Sequence, residues 1–239
     1  MLPKLEVPSY EIELPLSKQK LKYRPFLVKE QKILLMAMEG KEADTINKVV
    51  KDILMACTLT ENVDIDNLPI VDVEYYFINL RAKSVGEVVE ARYRCNNLVD
   101  DKACNNIMEV NVDLTKIQVT KNEIDSQIQL TDNIFVKMKY PEFGVVKDSL
   151  KYDNITDVTF NMIASSIEYI YDGEQYHYAK ESKPEELVDW VEQLNQQQFS
   201  KIEEFYNNLP ELKEKVEVTC SKCGFHHELE VEGLESFFG

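Results

Sequence analysis

Basic residues are in short supply. The 239-residue chain has 27 lysines and arginines against 43 aspartates and glutamates, a formal net charge of −16. Binding along a nucleic-acid backbone takes clustered Lys and Arg, so this balance argues against it. Long hydrophobic runs are missing too. No apolar stretch approaches the roughly 20 residues of a membrane-spanning helix, and no membrane insertion is expected. Glycine and proline number only 7 and 8, which leaves no flexible low-complexity linker. No solenoid-type repeat is present. There are 3 histidines, and no Gly-x-Ser-x-Gly elbow, phosphate-binding glycine loop or His-Glu-x-x-His. Acid pairs such as Asp64 with Asp66, Asp100 with Asp101, Glu185 with Glu186 and Glu203 with Glu204 read as solvated surface, so no catalysis is expected. With 5 cysteines and no signal-peptide pattern, a secreted disulfide scaffold is not expected either.

What cysteine there is carries information. Cys220 and Cys223 form a Cys-x-x-Cys knuckle between two alternating stretches, and Gly224 suits a turn of positive φ. Cys95 and Cys104 lie far upstream, also between alternating stretches. Two such hairpins brought together present four thiolates, as in a zinc ribbon. The expected metal ligands are Cys95, Cys104, Cys220 and Cys223, with zinc favoured and an iron–sulfur cluster the alternative. A redox Cys-x-x-Cys would open a helix, whereas strand-like sequence follows here. Of His226 and His227, neighbours in a strand, at most one can reach the metal. Arg92, Arg94, Lys102 and Lys222 are expected to offset the thiolate charge. Cys57 falls on a helical apolar stripe and reads as core.

The fold class expected is α+β. Residues 1–85 read as an N-terminal hairpin plus helices. Tyr10 to Leu16 alternates, Lys29 to Glu39 is densely apolar, and Asp44 caps a helix with Ile46, Val49, Val50, Ile53, Leu54 and Cys57 inward. A third helix follows Pro69, with Val73, Tyr76, Phe77 and Leu80 on one stripe. Arg24 and Glu30 are placed for a salt bridge at the hairpin-to-helix corner. Residues 86–145 read as an antiparallel zinc-ribbon-like β region with the first cysteine pair. Residues 146–212 read as a helical insertion. One of its helices is capped by Asp153 or Asn154 and buries Ile155, Val158, Met162, Ile163, Ile167 and Ile170. Asp172-Gly173 then forms a turn, Tyr176 to Ala179 a short strand, and Ser182-Lys183-Pro184-Glu185 the next helix start. Residues 213–239 form the last cysteine hairpin, expected to pack on 86–145. Phe237 and Phe238 either anchor the fold or dock a partner.

Several blocks carry a family likeness. Tyr10-Glu11-Ile12-Glu13-Leu14-Pro15, Tyr23-Arg24-Pro25-Phe26-Leu27-Val28-Lys29-Glu30 and Lys32-Ile33-Leu34-Leu35-Met36-Ala37 come first. Asp72 to Phe77 and Leu80-Arg81-Ala82-Lys83-Ser84-Val85-Gly86-Glu87 follow. Together they resemble the T-even-type phage baseplate hub family over about the first 145 residues. Members often space the cysteines of the first hairpin more closely. The resemblance implies a non-enzymatic protein of a contractile tail, either a hub subunit or a hub-assembly factor. It also implies other hub or tail proteins as partners, the tape-measure protein among them. The implied location is the virion baseplate, with assembly in the host cytoplasm. A transient assembly chaperone is the rival reading. A zinc-ribbon nucleic-acid binder is a third, opposed by the charge.

Overall fold

Alternating side chains set the first element. In β2 (Lys20–Tyr23), Leu21 and Tyr23 are buried while Lys20 and Lys22 face water. It pairs antiparallel with β1 (Tyr10–Glu13), Tyr10 opposite Tyr23 and Glu13 opposite Lys20. The computed structural model describes residues 5–40, 43–120, 124–145 and 154–233, so Phe237, Phe238 and Asp153 lie outside the described residues.

Three helices cover the hairpin: α1 (Val28–Gly40), α2 (Ala43–Cys57) and α3 (Ile70–Ser84). Their core gathers Leu14, Leu21, Tyr23, Leu34, Ile53, Leu54, Tyr76 and Phe77, with Cys57 wholly buried as plain core. α2 begins one residue before Asp44, the cap expected. The apolar density of α1 does not bury it all round. Leu34 and Ala37 face the core, while Ile33, Leu35 and Met36 are 52%, 52% and 61% exposed.

Two buried carboxylates lock this unit. Glu30 accepts from Arg24 at 3.0 Å and from the Leu27 N–H at 2.7 Å, and Arg24 also donates to the Ala56 carbonyl. Burial alone would raise the Glu30 carboxyl, but these donors outweigh it and hold it below its ordinary value. Asp72, fully buried on α3, accepts the Leu16 and Ser17 N–H groups at 2.8 Å each. It thereby fastens the β1–β2 turn to the helix.

The cysteine hairpins form a second layer. β3 (Val88–Arg94) is followed by β4 (Leu98–Val99), β5 (Lys102–Ala103), β6 (Ile107–Asp113) and the short β7 (Gln118–Val119). β3 pairs with β6 from Val88 opposite Asp113 to Arg94 opposite Ile107.

The remaining elements are β8 (Gln127–Gln129), β9 (Phe135–Met138), α4 (Ile155–Ser165), β10 (Ile167–Tyr171), β11 (Tyr176–Tyr178), α5 (Pro184–Glu192), α6 (Gln196–Asn207), β12 (Leu212–Thr219) and β13 (His226–Glu232). A four-stranded sheet in the order β11-β10-β9-β8 lays Val136, Met138, Ile167 and Ile170 against Ile163, Val191, Ile202 and Phe205 of the helices. Phe135, Tyr169, Tyr171, Tyr176 and Tyr178 meet on the sheet, with Tyr171 and Tyr176 centroids 4.8 Å apart. β12 pairs with β13 along its length and with β7 at Leu212 and Lys213. Ile78 of α3 and Val89, Val110, Val112 and Leu212 of the hairpins make a third core.

One helix differs from expectation. The Asn154 side chain caps α4 by accepting the Asp157 N–H at 2.9 Å, but Ile155 is 77% exposed. The helix stops at Ser165, and Ile167 and Ile170 belong to a strand. Residues three apart normally face opposite sides of a strand. A register shift between Ile167 and Tyr169 turns both isoleucines to the buried face. That bulge copies helical spacing.

Asp72→Ala removes two charge-assisted acceptors and strands two backbone donors. It should cost about 3 kcal/mol, read as a lower urea midpoint with unchanged slope. An unmoved midpoint would refute the fastening role.

Candidate metal centre

Both cysteine turns are built alike. Downstream, the Cys220 N–H donates to the Phe225 carbonyl and the Gly224 N–H to the Cys220 carbonyl, each at 2.8 Å. Gly224, just after the second cysteine, has φ 75°. Upstream, the Cys95 N–H donates to the Asn106 carbonyl at 2.8 Å and the Asn105 N–H to the Cys95 carbonyl at 3.1 Å. Asn105 follows the second cysteine and has φ 53°. Asparagine tolerates this left-handed conformation better than most residues, so Asn105 does the work of Gly224.

The wide spacing upstream is an insertion. Leu98 pairs with Ala103 and Val99 with Lys102. Asp100 and Asp101 turn the corner at φ 49° and 61°, as a two-residue turn of the primed type demands. The Cys104 N–H donates to the Asn97 carbonyl at 2.8 Å and closes the base. Without residues 98–103, the run would read Cys95-Asn96-Asn97-Cys104, a Cys-x-x-Cys like its partner.

The two knuckles face each other. The four sulfurs of Cys95, Cys104, Cys220 and Cys223 all lie within 4.8 Å of one another. Cys95 Sγ is 3.7 Å from Cys223 Sγ, and Cys104 Sγ is 3.8 Å from Cys220 Sγ. Four thiolates at about 2.3 Å from one tetrahedral zinc would be about 3.8 Å apart. A disulfide needs about 2.05 Å, and all these cysteines are free. Cys95, Cys104 and Cys220 are buried and Cys223 is half-buried.

Donors surround the sulfurs. Asn97 Nδ2 donates to Cys223 at 3.6 Å and Asn106 Nδ2 to Cys220 at 3.5 Å. Backbone N–H groups of Cys223 and then Lys222 outweigh burial and draw the Cys220 thiol down to about 6. The Phe225 N–H lowers Cys223. Cys95 goes the other way: burial, reinforced by the surrounding thiols, pushes it up to about 12. The backbone amides of the downstream knuckle thus favour thiolate at Cys220 and Cys223, while burial disfavours it at Cys95.

The two histidines separate as strand alternation requires. His227 is buried, with Nε2 3.2 Å from Cys95 Sγ and its ring against Tyr93 and Phe225. His226 turns outward to Thr219. Among the expected basic residues, Lys222 reaches the centre, with Nζ 3.2 Å from the Cys104 carbonyl oxygen. Arg92 and Arg94 sit on the exposed face of β3. Sequence reasoning missed Asn97 and Asn106 as sulfur donors. The Asn-Asn pairs flanking both upstream cysteines were the available signal.

The family model described as T4 bacteriophage base plate protein matches residues 7–239, both knuckles included. The chain belongs to the T4 bacteriophage base plate protein family. No curated protein and no solved structure matches it. Base plate family membership indicates a structural protein of the phage tail that contacts other baseplate proteins. No helix among the described residues is long and apolar enough to cross a membrane.

The thiol environments predict an order of reaction. In a short iodoacetamide pulse at neutral pH after chelation, Cys223 should alkylate first, being half-buried and lowered. Cys57, wholly buried and pushed up to about 11, should label later than Cys223. Peptide mass spectrometry reads the order, and Cys57 labelled ahead of Cys223 would contradict it.

Proposed function

We propose that this chain is a structural or assembly component of the central hub of the baseplate, stabilised by one zinc ion on Cys95, Cys104, Cys220 and Cys223. The observation that carries the metal reading is the spacing of the sulfurs, 3.7 and 3.8 Å across the facing knuckles. Four soft thiolates within 4.8 Å of one another, two cross-knuckle pairs near the tetrahedral separation, suit zinc. A multi-iron cluster would bring its own sulfides and force the thiolates apart. Zinc in this site supplies structure: it joins the β3–β6 hairpin to the β12–β13 hairpin, and its binding free energy feeds folding. No catalytic role is assigned to any residue.

The hub assignment rests on the family match together with the blocks from Tyr10 to Ala37 and from Leu80 to Glu87. The outer face of α1 supports a partner-binding role, since Ile33, Leu35 and Met36 lie open to solvent and interfaces draw on such patches. The same open face suits the second reading, a transient chaperone for a hub or tape-measure protein that departs before the tail is complete.

Two measurements test these readings. Metal analysis of the purified chain should find about one zinc. Cys220→Ser should bring this near zero and lower the melting temperature. A chain with neither zinc nor iron would remove the metal reading. Immunodetection should find the chain in purified mature tails. Its presence in assembly intermediates but absence from finished tails would replace the structural role with the chaperone role.

A further inference from the structure

Where the second and third cores adjoin, beside the start of α3, the surface is dented by a cavity of about 370 Å³. That is within the size range of ligand pockets, roughly 300–1,000 Å³. Its walls are apolar, with Leu16, Ile70, Tyr140, Pro141 and Leu209 among them, and two carboxylates, Glu74 and Glu211, line it. Glu211 has a partner, Lys213 Nζ at 2.8 Å. Glu74 has none among the described residues. Burial, and then the facing Glu211, push its carboxyl up to about 7. An acid in such a place destabilises the free chain unless a cation joins it. Glu30 and Asp72, the other acids that face the interior, are fully engaged by donors. Glu74 is the exception.

We propose that this cavity receives a lysine side chain from a neighbouring baseplate protein, the stem lying on the apolar walls and the ammonium on Glu74. Lysine fits both features: four methylenes that pack on apolar surface and a compact charge at the tip. A chain of net charge −16 also favours a basic partner. The inference rests on the reading that this chain works among other tail proteins, and it names the chemistry of one contact.

Zero-length carbodiimide coupling joins a carboxylate to an amine it touches, so it reads this contact directly. Infected-cell extracts and purified tails are treated separately, with the wild-type chain and with Glu74→Gln. The expected result is Glu74 coupled to a lysine of another tail protein. Glu74→Gln should lose that product and enter assemblies at least about tenfold less well. Its isolated melting temperature should not fall, because the uncompensated charge is gone. The inference is overturned by coupling to a lysine of this same chain, by no coupling in either sample, or by normal assembly of the variant. It is also overturned if the variant is less stable alone, since the carboxylate would then be structural. Coupling in extracts with the chain absent from tails would sink the structural role and leave the pocket standing. The chain present in tails with Glu74 uncoupled does the reverse.

Discussion

The meeting of four sulfurs from distant stretches organises one end of this molecule. Cys104 and Cys220 are 116 positions apart, and between them lies a sheet with its own core and three covering helices. Closing so long an excursion costs little more than closing a shorter one, since loop entropy grows only with the logarithm of length. The strands cooperate with the sulfurs: β12 pairs with β7 at one end and leads into Cys220 at the other. Sheet pairing therefore brings the knuckles together, and a metal would fix the last few ångströms.

Helix α3 is the other organiser. Val73, Tyr76, Phe77 and Leu80 face the hairpin and its helices, while Ile78, with Val71 and Tyr75, faces the cysteine hairpins. A helix apolar on both sides is buried between layers rather than lying on a surface. Its polar residues acquire structural duties in consequence. Asp72 secures the turn beside Leu16 and Ser17, and Glu74 is left at the rim where the layers part.

Much of this was legible in the sequence, because it depends on local period and on chemistry. The N-terminal hairpin, the three helices after it, the paired strands around each cysteine pair and the convergence of the four cysteines follow from alternation, helical stripes and thiol spacing. The stripe of α3 gave the side facing the first core but not the burial of Ile78 behind it, since a stripe identifies one neighbour only. Ile167 and Ile170 were misread because a bulge imitates a helical interval, and no local signal separates the two. The spacing of Cys95 and Cys104 looked loose for a knuckle. The turn-forming Asp100-Asp101 pair at positive φ shows why: a small hairpin grows out of a knuckle otherwise equivalent to its partner. Contacts between remote segments, such as His227 on Cys95 and Asn106 on Cys220, leave no periodic trace.

The shared cage of sulfurs is best tested by X-ray absorption at the zinc edge on the purified full chain. Four sulfur neighbours at about 2.3 Å, with no nitrogen or oxygen in the first shell, is the result this account predicts. A mixed shell that includes an imidazole, or fewer than four sulfurs, would contradict it.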